Sequence, residues 1–162
     1  MVKLGYGNDQ KFKLRGIKMT VKKWIILSSV SLLLLLISFV YYKQAYLPIW
    51  GYHLSKKDLK DIIVQTDKHS YLITDRKIVL KIAEDVSKWK KYSKTESFPP
   101  QTEPEKYKKL LIQTADNATY GGSIWVTENN ALLDSNGYYW DFNYKELSNR
   151  LDYSLKNASL LH

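Results

Sequence analysis

Few residues of this chain have the types and spacing that catalysis or metal binding requires. The three histidines, His53, His69 and His162, are far apart in the sequence, and no two of them have the spacing of metal ligands on a helix. The chain contains no cysteine, which argues against a structural zinc site and excludes a lipid-modified cysteine. We therefore expect no metal and no cofactor.

Motifs for nucleophilic and phosphate chemistry are missing as well. No Gly-x-Ser-x-Gly sequence occurs, and Gly121-Gly122-Ser123 precedes Ile-Trp-Val, which favours a turn leading into a strand. No glycine-rich turn is followed by Lys-Ser or Lys-Thr, the pattern of a phosphate-binding loop. The sequence offers neither a serine nucleophile nor a nucleotide site.

Three carboxylates, Asp116, Asp134 and Asp141, follow or end β-prone runs and could converge, and two carboxylates suffice for cleaving a glycosidic bond. The segment Asp134-Ser-Asn-Gly137 also resembles part of a calcium loop, but it lacks the spaced ligands and the closing Glu. Asp and Asn are common in turns because their side chains bond the nearby backbone, so we favour the turn role. We predict that the chain is not an enzyme.

Aromatic residues are the one sequence feature of the C-terminal part that points to a possible binding surface. Tyr138, Trp140 and Phe142 alternate with Tyr139 along one predicted strand, so Tyr139 points to the opposite face. Trp125 likewise points to the face opposite to that of its neighbours Ile124 and Val126. Trp125 and Tyr139 are therefore candidates for an exposed pair that binds a partner or a glycan, although we favour the alternative that a helix covers them.

An apolar segment precedes this part of the chain. Trp24 to Tyr42 contains no charged residue and, as a helix, would rise about 28 Å, close to the thickness of a bilayer core. We predict one transmembrane helix over residues 24–42. Aromatic rings near its ends are typical of the headgroup level. The predicted membrane-interface residues are Trp24, Tyr41, Tyr42, Tyr46 and Trp50.

A cleavable signal peptide is the competing interpretation. Its apolar region would be shorter, and it would end at a small-x-small site. After the apolar segment of this chain, Ala45 is the only small residue, and Lys43 stands two positions before it where a cleavage site would need a second small residue. We therefore favour a retained anchor. Met19 starts a second basic stretch, so translation from Met1 and from Met19 both remain open.

The charge distribution predicts the orientation. Residues 1–23 carry seven basic side chains and one acidic side chain, whereas residues 43–162 carry 18 basic and 15 acidic ones. Basic residues before a membrane helix favour the cytoplasmic side. We therefore expect a cytoplasmic tail over residues 1–23, with the rest of the chain outside the cell membrane. The outer part is nearly balanced in charge, which argues against nucleic acid as a partner.

The remaining sequence predicts a neck over residues 43–57, broken by Pro48 and Gly51, and an α+β domain over residues 58–162. Two strands are expected near residues 61–74, then a helix from Asp75 to about Trp89 and a loop over residues 97–104. A run of lysines over residues 88–94 closes the helix, and we favour a solvated helix end over a site for anionic lipid or wall polymer. Four strands between residues 107 and 142 form an antiparallel meander, and a capped helix over residues 143–157 completes the domain.

The stretch from Ile62 to Tyr144 resembles small extracytoplasmic domains of unknown function in Gram-positive bacteria, which are membrane-anchored or lipoprotein-type. The resemblance is carried by Ile73-Thr74-Asp75 opening a helix with spaced Ile residues, by the loop containing Ser and Pro, and by a tyrosine-rich hairpin. It implies a domain outside the membrane and no particular activity. The chain departs from the lipoprotein pattern because it has no cysteine.

Two classes of function follow from the sequence. The chain is either an anchored module that binds a peptide, a cell-wall polymer or a partner protein, or an accessory subunit whose single helix docks on another membrane protein. Ser28, Ser29, Ser31 and Ser38 are small enough to allow close packing of such a helix. The bilayer itself is the first expected partner, and catalysis is a distant third alternative.

Overall fold

The computed structural model describes residues 21–97, 102–127 and 131–161. They fall into two units, Met1–Phe39 and Val40–His162. Within its described part, the first unit is the apolar helix α1, which spans Val21–Ala45 and ends in the second unit. Helix α1 is therefore longer at both ends than the predicted segment of residues 24–42. The predicted cytoplasmic tail, except for residues 21–23, lies outside the described residues, as does the alternative start at Met19.

The second unit is an α+β domain, as predicted. A two-stranded sheet pairs β1 with β2, and an eight-stranded antiparallel sheet has the order β10-β4-β3-β6-β7-β8-β9-β5. Strands β6 to β9 are consecutive neighbours, which is the predicted meander. The strands are β1 (Tyr46–Ile49), β2 (Tyr52–Ser55), β3 (Leu59–Gln65), β4 (Ser70–Ile73), β5 (Lys90–Lys94), β6 (Lys109–Thr114), β7 (Thr119–Val126), β8 (Ala131–Ser135), β9 (Tyr138–Phe142) and β10 (Ser159–Leu161).

Two helices of the domain pack through the apolar stripes that the sequence predicts. Helix α2 (Arg76–Val86) starts at Asp75, whose carboxylate accepts hydrogen bonds from two backbone N–H groups of the first turn. Helix α3 (Tyr144–Ser154) starts at Asn143, whose side chain accepts a hydrogen bond from the N–H of Glu146. Both apolar stripes join one core. The buried helix residues of this core are Val79, Ile82, Ala83, Val86, Leu147 and Leu151.

The predicted neck over residues 43–57 is wrong, because most of it is a hairpin that belongs to the core. Strands β1 and β2 pair around a two-residue turn, Trp50-Gly51, in which both residues have positive φ, as a tight hairpin turn requires. Leu47, Ile49, Trp50 and Leu54 are all buried. The domain therefore begins well before residue 58.

The lysine run after α2 is also different from the prediction. Helix α2 ends at Val86, not near Trp89, and residues 90–94 form β5, which pairs with β9. Nearly all side chains of β5 are exposed, so it lacks the apolar alternation that would have predicted a strand. Of the predicted loop over residues 97–104, residues 98–101 lie outside the described residues. Thr102 forms an isolated bridge with Val126.

Candidate functional site

The predicted aromatic pair is not an exposed surface. Tyr139 is only 3% exposed, so its assignment to a binding surface is wrong. Trp125 is half-buried, and its indole Nε1 is buried without a hydrogen-bond partner among the described residues. Tyr139 lies opposite Asp134 on β8, and Trp125 lies opposite Leu132. Leu132 is fully buried as well.

These residues form a second buried layer on the far side of the sheet. Leu133 and Phe142 belong to the main core, and their strand neighbours Leu132 and Tyr139 therefore point away from it. The alternative of a covering helix α3 also fails, because Leu147 and Leu151 pack in the main core. Burial raises the pKa of the Asp134 carboxyl in this layer. Within this layer Leu132 and Tyr139 are buried, and Trp125 is half-buried.

The predicted membrane-interface residues divide into two groups. Trp50 is 1% exposed and lies in the domain core, so its assignment to the interface is wrong. Trp24, Tyr41 and Tyr42 are exposed on α1, and Tyr46 is half-buried at the start of β1. Their position at a membrane interface stays a prediction.

The end of α1 and the first hairpin bring three rings together within the second unit. The rings of Tyr42 and Tyr46 stack with their centroids 4.8 Å apart, and the ring of Tyr42 lies 6.2 Å from that of His53. The backbone N–H of Lys56 donates to the carbonyl of Ala45, the last residue of α1. This aromatic cluster of Tyr42, Tyr46 and His53 thus lies at the junction between helix α1 and the first hairpin. Sequence reasoning found the tyrosines but not His53.

A cleft of about 810 Å³ lies where the C-terminal end of α2 faces the start of α3, the end of β7, the start of β8 and the end of β9. Its volume falls in the range of small-molecule and peptide sites. Apolar and charged side chains line it together. They include Ile82, Trp89, Phe142 and Leu147 as the apolar part, and Asp85, Lys88, Lys90, Asp141, Lys145, Glu146 and Arg150 as the charged part.

Ion pairs occupy the charged wall of the cleft. Arg150 Nε lies 2.7 Å from Asp85 Oδ2, and Lys88 Nζ lies 3.2 Å from Asp85 Oδ1. The ion pair of Asp85 with Arg150 connects helix α2 to helix α3.

An aromatic stack forms the apolar wall. The rings of Trp89 and Phe142 are parallel within 11°, and their centroids are 4.1 Å apart. The ring centroid of Trp50 lies 6.1 Å from that of Trp89, so the aromatic wall extends to the first hairpin. Phe142 is a core residue that is 8% exposed and Trp89 is half-buried, and both line the cleft, whereas Trp125 and Tyr139 do not.

The three candidate carboxylates come from two regions of the domain: Asp134 on β8 and Asp141 on β9 are diagonal neighbours in the register of these strands, and Asp116 lies in a turn. Asp116 lies in the turn between β6 and β7, where Thr114 Oγ1 donates to its carboxylate at 2.5 Å and lowers its pKa. Asp134 points into the second buried layer, and Asp141 lines the cleft. The predicted turn role is confirmed for Asp116. Among residues 21–97, 102–127 and 131–161, no three His, Asp or Glu side chains are grouped so that they could hold a metal ion.

Sequence reasoning did not bring the residues that line the cleft together. Lys88 and Lys90 belong to the lysine run over residues 88–94, but no motif connects this run to Arg150 on α3. The aromatic alternation of β9 did identify Phe142 as a core residue, and the position of Trp89 next to a lysine run was the only other signal. No protein-family model matches the chain, and neither a curated protein nor a solved structure matches it. Function therefore has to be inferred from the geometry of the chain itself.

Proposed function

We propose that this chain is a single-pass membrane protein whose α+β domain lies outside the cytoplasm and binds another macromolecule there. The observation that carries the proposal is helix α1. It has 25 residues and a mean hydropathy of 2.3 over its apolar window, and none of that window is buried. Soluble proteins rarely expose an apolar surface of this size, and a bilayer would cover it.

The charge pattern supports the orientation. Seven basic residues and one acidic residue precede the uncharged segment of residues 24–42, whereas Lys43 is the only Lys or Arg over residues 43–54. Positively charged flanks are retained on the cytoplasmic side during insertion. The domain from Val40 onward is then on the outer side, and the helix is a retained signal anchor.

The cleft supports binding as the role of the domain. It combines an aromatic wall, Trp89 and Phe142, with charged groups that are already paired, Asp85 with Arg150. Paired charges beside an apolar wall give orientation and specificity to a bound segment without a reactive group. We therefore propose a binding module rather than an enzyme, with a partner protein or a cell-wall polymer as the ligand.

A role as accessory subunit is the second candidate. Ser28, Ser31 and Ser38 are exposed and lie on the same side of α1. Small residues allow two membrane helices to approach closely. In this case partners would be held by the helix and the outer domain would only cap the complex.

Two measurements test these proposals. Membranes of cells that produce the full chain are washed at alkaline pH, and the N-terminus of the retained protein is sequenced. A start at Met1 or Met19 with the chain in the membrane supports the anchor, whereas a start near Tyr46 identifies a signal peptide. Partner capture is then compared between the full chain and residues 40–162. Retention by the shorter piece supports a module, and its loss supports the accessory subunit.

The shorter piece has to include the first hairpin. A cut after Trp50 would remove a core side chain that is 1% exposed, and the remaining domain would be destabilised. Residues 40–162 correspond to the second unit of the structure.

A further inference from the structure

Helix α1 continues into the first hairpin without a linker. Its last residue, Ala45, is followed directly by Tyr46, the first residue of β1. The backbone N–H of Lys56, just after β2, donates to the carbonyl of Ala45 at 2.8 Å. Residues 40–45 of the helix belong to the same unit as the hairpin. Both strands of the hairpin are therefore tied to the end of the helix.

The hairpin is in turn fixed to the rest of the domain. Its inner face is buried in the core through Ile49 and Leu54. Lys56 Nζ lies 2.8 Å from Glu84 Oε1 on α2, and the guanidinium of Arg76, also on α2, donates to the carbonyl of Lys56. The end of α1 is thus joined to the core through the hairpin, whereas a flexible tether would leave the domain free to turn.

The outer face of the first hairpin carries exposed side chains. Tyr46 pairs with Ser55 and Pro48 pairs with His53, so these four residues share the face. Pro48 and His53 are exposed, and Tyr46 and Ser55 are half-buried. Tyr42, in the last turn of α1, stacks on the ring of Tyr46. The outer face therefore continues the aromatic surface at the end of the helix.

Ring distances relate this face to the end of the apolar segment. Tyr42 is the last residue before Lys43, the first charged residue after residues 24–42. In a membrane, the end of such a segment lies at the headgroup level, a layer of about 5 to 8 Å on each side of the hydrocarbon core. The ring centroids of Tyr42 and His53 are 6.2 Å apart, so His53 lies close to the depth of Tyr42.

We propose that the outer face of the first hairpin lies among the phospholipid headgroups of the membrane that holds α1, which gives the domain one fixed orientation on the bilayer. This inference rests on the proposed anchor and goes beyond it, since an anchored domain could equally stand clear of the lipid. Phosphate and ester oxygens of the lipid accept hydrogen bonds from Tyr42, Tyr46 and His53, whose rings combine an apolar body with a polar tip. No residue of the face is acidic, so none of them repels the phosphates.

Single-cysteine labelling tests the proposal on the full chain in lipid nanodiscs, because the sequence has no cysteine of its own. A small fluorescent dye is attached at Pro48→Cys, at His53→Cys or at Tyr153→Cys, an exposed position of α3. Lipid that carries a nitroxide on its headgroup quenches only dyes that lie close to the headgroups. We expect at least about two-fold stronger quenching at Pro48→Cys and His53→Cys than at Tyr153→Cys.

A flexible insert distinguishes a fixed orientation from mere closeness to the helix. Gly-Ser repeats between Ala45 and Tyr46 separate the hydrogen bond of Lys56 with Ala45 and the stack of Tyr42 on Tyr46, but they change no core side chain. Quenching at Pro48→Cys should then fall by about half or more. The urea midpoint checks that the domain still folds. If it does not, the comparison of Pro48→Cys with Tyr153→Cys decides alone.

Two results would overturn the proposal. Equal quenching at Pro48→Cys and Tyr153→Cys would show that the domain has no preferred orientation on the lipid. Unchanged quenching after the insertion would show that the junction with α1 does not set the orientation. A dye at Ser31→Cys, read with a nitroxide on the acyl chains, tests separately whether α1 is inserted. Loss of that signal contradicts the anchor, whereas failure at Pro48→Cys alone leaves the anchor standing.

Discussion

Trp50 and Gly121 lie in direct contact: a Cβ added at Gly121 would be 2.9 Å from Cζ3 of Trp50 and would clash with the carbonyl oxygen of Leu110. Gly121 has a φ of +116°, which residues with a side chain rarely adopt. Asn136 Nδ2 donates to the carbonyl of Trp50 at 3.2 Å, so the hairpin turn is also held from the turn between β8 and β9. The segment that follows the apolar helix is thus fixed in the core of the domain.

The contact at Gly121 predicts a large effect for Gly121→Ala. The new methyl group would meet the Leu110 carbonyl and the Trp50 ring while the backbone is strained, so we expect a loss of more than ~3 kcal/mol in the free energy of unfolding. Gly137→Ala is the matched control, since its φ is +72° and nothing lies within 4 Å of its added Cβ. That change should cost only about 1 kcal/mol. Urea unfolding of the full chain in detergent, followed by circular dichroism, measures both, and equal losses would show that the contact with Trp50 is unimportant.

Substitution of Trp50 tests whether this residue belongs to the domain core or to the membrane interface. Trp50→Ala should destabilise the domain by about 3 to 5 kcal/mol, because a buried large aromatic side chain leaves a cavity. Trp24→Ala, at a position 59% exposed on α1, should leave the urea midpoint of the domain unchanged. A small effect of Trp50→Ala would restore the interpretation of this residue as an interfacial anchor.

Tyr139 provides the corresponding test for the second buried layer. Tyr139→Ala should cost about 3 kcal/mol or more, as truncation of a buried aromatic residue does. Tyr153→Ala is the control, because Tyr153 is largely exposed on α3. If thermal melts of the two variants coincide with the unmodified chain, Tyr139 is accessible after all and regains its place as a candidate binding residue.

Asp152 predicts a pH-dependent contribution to stability. Hydrogen bonds from Lys106 and Tyr107 lower the pKa of this carboxyl in the folded state. A lowered folded pKa stabilises the protein above the unfolded pKa, near 3.8, and this contribution is lost as the pH falls through the folded value. Asp152→Asn should therefore be less stable than the unmodified chain at pH 7, by less than ~1 kcal/mol because the carboxylate is partly exposed, and the two should converge at low pH.

Unfolding by urea at a series of pH values measures this difference. Glu105→Gln serves as the control, since among the described residues Glu105 is exposed and makes no ion pair. A constant difference between Asp152→Asn and the unmodified chain from neutral to acidic pH would contradict the assigned cause.

Local signals predicted the starts of helices α2 and α3 and the order of strands in the meander. The caps Asp75 and Asn143 and the spaced apolar residues after them are short-range features, and so are the Asn and Asp turns between β6 and β9. The first hairpin was not predicted, because Pro48 and Gly51 directly after an apolar helix are also typical of an irregular linker. The burial of Trp50 depends on Gly121, which lies far away in the sequence.

The candidate site was less predictable than the fold. Alternation along β9 predicts that Tyr139 and Phe142 point to opposite faces of the sheet. It does not reveal whether the face that carries Tyr139 is covered. Strand β5 carries charges without an apolar period, and only its pairing with β9 identifies it. The cleft joins Asp85 to Arg150 across two helices, and no sequence spacing encodes such a contact.

Protease digestion of intact spheroplasts that produce the full chain tests the central claim most directly. The proposed topology predicts that the protease removes the domain after Val40 and leaves a membrane-bound fragment containing α1, while a cytoplasmic marker protein stays intact. Protection of the domain until the membrane is opened by detergent would contradict the proposed orientation. Release of the whole chain from the membrane before any digestion would contradict the anchor.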